Sequence, residues 1–175
     1  MKDDERGRAN VNVAEIRVAV ITISDGVHHG TRVDKSGPVL VERLRSAGYT
    51  VSGPEVLPDE RQQIADWLRQ AVIARLVDVV FTTGGTGVAP RDITPEAVRD
   101  VIDREIPGFG ELMRHSGRAS TPLASLSRGM AGAAGTALIV TLPGSPKGAL
   151  ESLNGILELV PHVHDLLNGR TAHSI

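Results

Sequence analysis

Two glycine-rich turns are the segments of this sequence best suited to chemistry. Residues 82–87 (TTGGTG) complete one apolar run, and residues 143–148 (PGSPKG) follow another. Glycine lets backbone N–H groups approach an anion closely, and threonine and serine hydroxyls add donors, so such turns suit phosphate groups. Either turn alone could equally be a tight connection between a strand and a helix. Two such turns, one with three glycines in four residues, favour a phosphate or nucleotide site.

Neither turn has the spacing of the two best-known phosphate-binding motifs. The P-loop ends in Gly-Lys-Ser/Thr, and the dinucleotide turn follows the pattern Gly-x-Gly-x-x-Gly. The sequence therefore does not support a generic kinase or dehydrogenase.

Three aspartates lie in loops near these turns. Asp25 follows the first apolar run, Asp59 follows the second strand pattern, and Asp92 comes shortly after TTGGTG. A carboxylate repels a polyphosphate unless a cation lies between them, so this combination implies Mg²⁺, which prefers oxygen ligands. Each aspartate also has a purely structural interpretation. Asp59 with Gln62 fits a capping-box-like helix start, which the residues alone favour, and Asp25 and Asp92 fit turn formers.

Basic residues and histidines near the turns are less informative. Arg91 and Lys147 could neutralise phosphate charge, although an exposed solvating charge is the commoner role of each. His28 and His29 lie in a polar loop, and histidines 162 and 164 would point in different directions on a helix. We expect no transition-metal site.

Alternating strand and helix patterns predict the elements that position these residues. Continuous apolar runs predict three buried strands, at residues 16–23, 77–82 and 137–142. A weaker run predicts one more strand, at residues 49–56. Helical patterns lie between and after them, beginning near Pro38, Asp59, Thr94, Phe109 and Gly148, with Thr94 as an N-cap and a break expected at Pro161. This order predicts a single-domain three-layer α/β/α sandwich with a mostly parallel sheet. We expect that domain at residues 15–170, a disordered tail at residues 1–14 and a short tail at residues 171–175.

Composition excludes several classes of function. The 175 residues contain no cysteine, which rules out disulfides, thiol catalysis and zinc–thiolate sites. The net charge of −2, the absence of a basic block and the four aromatic residues argue against nucleic-acid binding. No apolar run approaches the roughly 20 residues of a membrane helix, and the charged N-terminus is unlike a secretory signal. We expect a cytoplasmic protein.

Taken in order, the motifs resemble the molybdenum-cofactor biosynthesis domain of bacterial MogA and MoaB proteins and of the gephyrin G-domain. Residues 82–87 (TTGGTG) and 90–97 (PRDITPEA) carry most of the resemblance. Further matching segments are TISD at 22–25, SGP at 36–38, PDE at 58–60, DREIPGFG at 103–110, LSR at 126–128 and LPGSP at 142–146. The resemblance runs from about Ile16 to Asn168, nearly the whole chain.

The resemblance implies adenylyl transfer from Mg-ATP to the terminal phosphate of molybdopterin, with release of pyrophosphate. It also implies a homo-trimer and a molybdate-inserting enzyme downstream. The two functionally important aspartates of the family fall on Asp59 and Asp92, which become catalytic residues and Mg²⁺ ligands, and this outweighs the capping interpretation of Asp59. The expected substrate and nucleotide contacts are Ser24, Asp25, Gly26, Thr83, Gly84, Gly85, Thr86, Gly87, Arg91, Ser127, Pro143, Gly144, Ser145 and Lys147.

Other functions remain open at the level of the sequence. A MoaB-type paralogue would bind or carry molybdopterin without adenylylating it. The PRDITP segment looks more like the adenylyltransferase form, whereas PGS at residues 143–145 is closer to the MoaB form. Both forms carry the aspartates, so Asp59 and Asp92 do not separate them. The molybdate-inserting enzyme ranks last, because this chain is too short for its additional domains, and a generic nucleotide-binding module is the residual alternative.

Overall fold

The computed structural model describes residues 12–170. Of the tail expected at residues 1–14, residues 1–11 lie outside the described part, whereas Val13 and Ala14 belong to a 3₁₀ turn. The tail expected at residues 171–175 also lies outside the described part. The strands are β1 (Arg17–Ile23), β2 (Thr50–Leu57), β3 (Val79–Thr83), β4 (Arg104–Glu105), β5 (Ala131–Ala134) and β6 (Ala137–Leu142). The helices are α1 (Asp25–His28), α2 (Ser36–Ser46), α3 (Arg61–Ile73), α4 (Thr94–Arg99), α5 (Pro107–Arg118), α6 (Pro146–Ile156) and α7 (Val160–Leu167). Short 3₁₀ turns occupy Val13–Glu15, Pro122–Leu126 and Leu157–Leu159.

One six-stranded sheet in the order β2-β1-β3-β6-β5-β4 forms the centre of the described chain. Strands β2, β1, β3 and β6 are parallel, and β5 and β4 add to the sheet in antiparallel pairing. The predicted α/β class and mostly parallel sheet are therefore confirmed. The chain passes from β1 to β2 on one side and then crosses to β3 on the other, which makes the β1–β3 boundary a topological switch point. Open α/β sheets bind ligands at the carboxyl ends of the strands at such a point.

Two apolar cores, one on each face of the sheet, give the sandwich its three layers. Alternation along β1 sends Val18 and Val20 into one core, and Ala19 and Ile21 into the other. The first core packs α2, α5 and α6 against the sheet, and the second packs α3 and α4. Burial on both faces explains why the central strands consist of continuous apolar runs.

Helix starts follow local signals, with two departures from the sequence predictions. The predicted start of α3 at Asp59 is wrong, because the helix begins at Arg61 and its N-cap residue Glu60 makes no side-chain capping bond. The predicted N-cap role of Thr94 is also wrong, because Ile93 occupies that position and Thr94 is the first helical residue. The break expected near Pro161 is confirmed, since a 3₁₀ turn separates α6 from α7.

Candidate active site

The glycine turn after β3 lies at the switch point, between the end of β1 and the start of α4. Gly84 has a φ of +110°, and a side chain there would overlap the carbonyl oxygen of Ile23 at the end of β1. Gly85 has a φ of +61°, and a Cβ atom there would overlap the Thr94 hydroxyl and lie 3.2 Å from Asp59 Oδ1. Only glycine has both the backbone freedom and the lack of a side chain that these positions require.

The second glycine turn lies against the first. The Thr83 hydroxyl donates a hydrogen bond to the carbonyl of Pro143 (2.7 Å), and Gly84 N donates to the carbonyl of Leu142 (3.2 Å). A Cβ atom on Gly144 would lie 3.2 Å from the Cα of Gly84. The structure thus brings the two turns together at the carboxyl edge of the parallel strands.

Asp25 and Asp59 bind each other's backbone across this edge. Asp25 N donates to Asp59 Oδ2 (2.8 Å), and Asp59 N donates to Asp25 Oδ1 (3.0 Å). This reciprocal pair ties the loop after β1 to the loop after β2. It also explains why Asp59 does not cap α3, since its carboxylate already accepts a hydrogen bond from the neighbouring loop.

Asp92 borders the glycine turn at Gly87. Its Oδ2 atom accepts a hydrogen bond from Ala89 N (2.9 Å), and a Cβ atom on Gly87 would lie 2.6 Å from that same oxygen. Asp92 also lies close enough to Asp59 for their charges to interact. The two aspartates therefore lie beside different residues of the turn, Asp59 at Gly85 and Asp92 at Gly87.

The surroundings of Asp59 disfavour its charged form. Burial raises the pKa of the Asp59 carboxyl, and the neighbouring charges of Asp25 and Asp92 add to this effect. The Asp25 backbone N–H and the Arg91 guanidinium oppose it but do not cancel it. A cation placed among these carboxylates would relieve the repulsion.

The Arg91 guanidinium forms ion pairs with two carboxylates. Its guanidinium donates to Asp25 Oδ2 from Nη2 (2.6 Å) and Nε (3.1 Å), and to Glu60 Oε1 (3.0 Å). The Arg91 hydrogen bond and the Asp59 backbone N–H hold the pKa of Asp25 below its usual range. A groove of about 460 Å³ opens beside this ion pair, lined by Asp25, His28, His29, Pro58, Glu60, Gln63 and Arg91. A larger groove of about 610 Å³ between α2 and β2 contains none of the predicted site residues.

Several predicted contact residues hold the backbone of the site. The Ser24 hydroxyl accepts a hydrogen bond from Val27 N and caps α1, and the Ser145 hydroxyl accepts one from Gly148 N and caps α6. Gly26 packs against Arg32, where a Cβ atom would lie 2.7 Å from that side chain. Lys147 lies in the first turn of α6 with a side chain that is 75% exposed, 3.8 Å from Glu151. Of these residues, Lys147 is the one that reaches furthest into solvent.

The segment before β5 also contacts the glycine turn. The Ser127 hydroxyl accepts a hydrogen bond from Gly129 N (3.2 Å). The next residue, Arg128, reaches the glycine turn, with its backbone N–H donating to the carbonyl of Thr86 (2.8 Å). Arg128 belongs to the LSR motif but was not predicted as a site residue. A signal was present, because an arginine directly after a predicted site serine is a candidate to contact the same loop.

Two threonine hydroxyls at the site have no hydrogen-bond partner within residues 12–170. Thr82 and Thr94 are fully buried, and the Oγ1 atoms of both are without a partner among the described residues. Thr94 belongs to the PRDITPEA segment and was not predicted as a site residue. Its hydroxyl lies directly beneath Gly85.

The donor set at the turn suits Mg²⁺ bound together with phosphates. Within residues 12–170, no group of three or more His, Cys, Asp or Glu side chains converges as a complete metal site. Mg²⁺ is commonly held by one or two carboxylates plus substrate phosphates and water, so a complete protein cage is not needed. Asp59 near Gly85 and Asp92 near Gly87 provide two such carboxylates beside an amide-rich turn.

The fold defines an α/β protein with two glycine-rich turns and three aspartates at the carboxyl edge of a mostly parallel sheet. The family described as a probable molybdopterin binding domain matches residues 19–162, and the chain belongs to this molybdenum-cofactor biosynthesis family. Molybdopterin adenylyltransferase of Escherichia coli K12 is 43% identical over 143 residues, which cover 81% of this chain and 73% of that protein. The protein of the same name from Helicobacter pylori J99 is 39% identical over 158 residues, 88% of this chain and 89% of its own length.

Solved structures agree with the sequence comparisons. The structure of the molybdopterin biosynthesis enzyme MoaB from Thermus thermophilus has a TM-score of 0.83 and 46% identity, covering 88% of this chain and 97% of that one. The chain spans only 26% of Drosophila melanogaster cinnamon and 23% of Dictyostelium discoideum gephyrin, which it also matches. Within the described part of the chain, no helix has both the length and the apolar character needed to cross a bilayer.

Proposed function

We propose that this protein transfers an adenylyl group from Mg-ATP to the terminal phosphate of molybdopterin and releases pyrophosphate. One observation carries the proposal. Asp59 and Asp92 flank a glycine turn at the switch point, in a chain about 40% identical to two bacterial proteins named molybdopterin adenylyltransferase. This arrangement supports binding of a metal-bound polyphosphate at the turn.

The residues of the site suit a reaction between two phosphates. A phosphate monoester has a second pKa near ~6 and is largely ionised at neutral pH, so its attack on the α-phosphorus needs no strong general base. The chain then has to align the two phosphates and compensate their charge. Backbone N–H groups of residues 85–87 would provide donors, since the Gly84 N–H is already bonded to Leu142, and Asp59 and Asp92 would hold Mg²⁺. When bound, Mg²⁺ neutralises charge on the phosphate oxygens.

Lys147 and the 143–145 turn supply further phosphate contacts in this proposal. Lys147 is exposed at the start of α6, and its only ion pair within residues 12–170 is a long one, at 3.8 Å from Glu151. A long, exposed pair costs little to exchange for a phosphate. Arg91 has a different role here, because it holds Asp25 and Glu60 and thereby the loop that carries Asp59.

We also propose a cytoplasmic homo-trimer that passes its product to a molybdate-inserting enzyme. The resemblance to the trimeric family supports this assembly. Exposed leucines on α5 and the following 3₁₀ turn, namely Leu112, Leu123 and Leu126, offer apolar surface for contacts between subunits. Neither nucleic acid nor a membrane is among the proposed partners.

A second candidate is a MoaB-type paralogue that carries molybdopterin without adenylylating it. The observation in its favour is the 46% identity to the Thermus thermophilus MoaB structure, compared with 35% to a MogA structure. This candidate predicts binding of molybdopterin without consumption of ATP.

Mass spectrometry of protein incubated with molybdopterin and Mg-ATP separates the two candidates. We expect adenylylated molybdopterin with the native chain, and a strongly reduced but measurable rate of its formation in Asp59→Asn and Asp92→Asn. Asp66→Asn is the matched control, because Asp66 is a half-exposed carboxylate on α3 that pairs with Arg69. Tight molybdopterin binding without an adenylylated product in the native chain would refute the enzyme and support the carrier.

A further inference from the structure

Arg128 connects three segments of the site through one side chain. Its Nε donates to the carbonyl of Gly87 (2.6 Å), its Nη2 to the carbonyl of Asp92, and its Nη1 to the carboxylate of Glu96. Its backbone N–H donates to the carbonyl of Thr86 (2.8 Å). The glycine turn, the Asp92 loop and the start of α4 are thus all bound to the segment before β5.

Only arginine can make this set of contacts. A guanidinium presents five donors in a rigid plane, whereas lysine has one ammonium group on a flexible stem. Burial is the strongest single influence and raises the pKa of Glu96. The hydrogen bond from Arg128, the Glu96 backbone N–H and the charges of Arg128 and Arg99 together outweigh it, and the pKa of Glu96 lies below its usual value. The Arg128–Glu96 contact is therefore a charge-assisted hydrogen bond, which is stronger than a neutral one.

The position of Asp92 depends on this arginine. The Asp92 backbone carbonyl is bound to Arg128, and its side chain is bound to Ala89 N within the same loop. Arg128 itself points into the loop and is bonded to the protein by every nitrogen of its guanidinium. It therefore acts on Asp92 and the turn rather than directly on a ligand.

We propose that Arg128 is a positioning residue that holds Asp92 and the glycine turn at the spacing that the metal and the phosphates require. This inference rests on the proposed function. It predicts that losing the guanidinium fork lowers the rate of the chemical step by moving Asp92, although Arg128 touches no reacting atom.

Arg17 provides a matched control at the opposite edge of the sheet. Its Nε and Nη2 bind the Asp78 carboxylate (3.0 and 2.8 Å), and its Nη1 donates to the carbonyl of Arg75 (2.6 Å). Arg17→Lys thus breaks a comparable fork that makes no contact with the glycine turn. The two variants separate a general loss of packing from a displacement of Asp92.

The test compares kcat and KM for adenylylation in the native chain, Arg128→Lys and Arg17→Lys. A misplacement of about 1 Å can lower a rate by roughly 100-fold, so we expect kcat of Arg128→Lys to fall by about 10- to 100-fold. The KM for ATP should change little, and Arg17→Lys should keep the native kcat. In an Asp92→Asn background, Arg128→Lys should cause little further loss, because both changes act on the same group.

Two results would overturn the inference, and a third would refute the proposed function on which it rests. Equal kcat values for Arg128→Lys and Arg17→Lys, in an active native chain, would overturn it. Fully multiplicative losses in the Asp92→Asn background would also overturn it. No adenylylation by the native chain would refute the proposed function itself. If Arg128→Lys does not fold, Glu96→Gln removes the charged partner alone, and it should lower kcat in the same direction by a smaller factor.

Discussion

Replacing Gly85 with alanine should impair both stability and catalysis. Gly135→Ala is the control, because it has the same backbone strain without a steric overlap, so the difference between the two variants measures the overlap. The φ angles are +61° at Gly85 and +56° at Gly135, so alanine at either position incurs the same left-handed backbone strain, about 1–2 kcal/mol. A Cβ atom on Gly135 would meet nothing within 4 Å. A Cβ atom on Gly85 would overlap the Thr94 hydroxyl and lie 3.2 Å from Asp59 Oδ1.

The steric difference sets the expected magnitude. Thr94 is fully buried, so overpacking at Gly85 should add about 1–3 kcal/mol to the strain. One kcal/mol corresponds to about 2–4 °C in Tm for a chain of this size. Gly85→Ala should therefore melt roughly 2–12 °C below Gly135→Ala. The Asp59 carboxylate would have to move by only a few tenths of an ångström. The adenylylation rate should therefore fall by roughly 2- to 10-fold, less than the loss caused by a misplacement of about 1 Å, whereas Gly135→Ala should keep the native rate.

Thermal unfolding by circular dichroism, together with adenylylation assays well below both Tm values, measures the two effects. Gly85→Ala combined with Thr94→Ala should recover part of the lost stability, because the overlapping hydroxyl is removed and has no partner within residues 12–170. The reasoning is refuted if Gly85→Ala and Gly135→Ala have the same Tm and the same activity.

Three further predictions follow from individual contacts. Asp59→Asn should raise the Tm of the ligand-free protein at pH 7, because burial and the charges of its carboxylate neighbours raise the pKa of Asp59 and disfavour its charged form in the fold. The gain in Tm should shrink as the pH falls through the raised pKa of Asp59, because the native carboxyl becomes protonated there. A Tm of Asp59→Asn below that of the native chain at pH 7 would contradict the prediction. Arg91→Gln should lower the Tm only slightly, because exposed ion pairs contribute little to stability. The loss should diminish as the pH falls through the lowered pKa of Asp25, and an undiminished loss at acid pH would show another cause. Leu68→Ala should lower the free energy of unfolding in urea by about 2–5 kcal/mol, because Leu68 is buried in the core between α3 and the sheet. Its KM and kcat at about 20–25 °C should stay near the native values. A changed KM would link this core to the site.

The central strands were predictable from the sequence because their physical signal is strong. Every residue of β3 and β6, and every residue of β1 after Arg17, is buried, so each appears in the sequence as a continuous apolar run. Strands β4 and β5 were not predicted. The β5 sequence Ala-Gly-Ala-Ala lacks the branched side chains typical of strands, and β4 has only two residues. Both are strands because they pair with a sheet that already exists.

The candidate site could be located from its turns, but the contacts between its loops could not be predicted. Glycines next to apolar runs predict turns at a sheet edge, and the structure places both turns there. The partners of Asp59 depend on the loop after β1, which is 34 residues away in the sequence. The contacts of Arg128 with Gly87 and Glu96 likewise span 41 and 32 residues. No local pattern specifies such pairings, because they arise only when the sheet brings distant loops together.

Transfer of labelled phosphorus from ATP to molybdopterin tests the central claim most directly. The protein is incubated with molybdopterin, Mg²⁺ and ATP labelled at either the α- or the γ-phosphorus, and the products are separated and counted. Adenylyl transfer predicts that the α-label appears in molybdopterin and that the γ-label appears in pyrophosphate. Transfer of the γ-label to molybdopterin, or retention of both labels in ATP while molybdopterin is bound, would contradict the proposal.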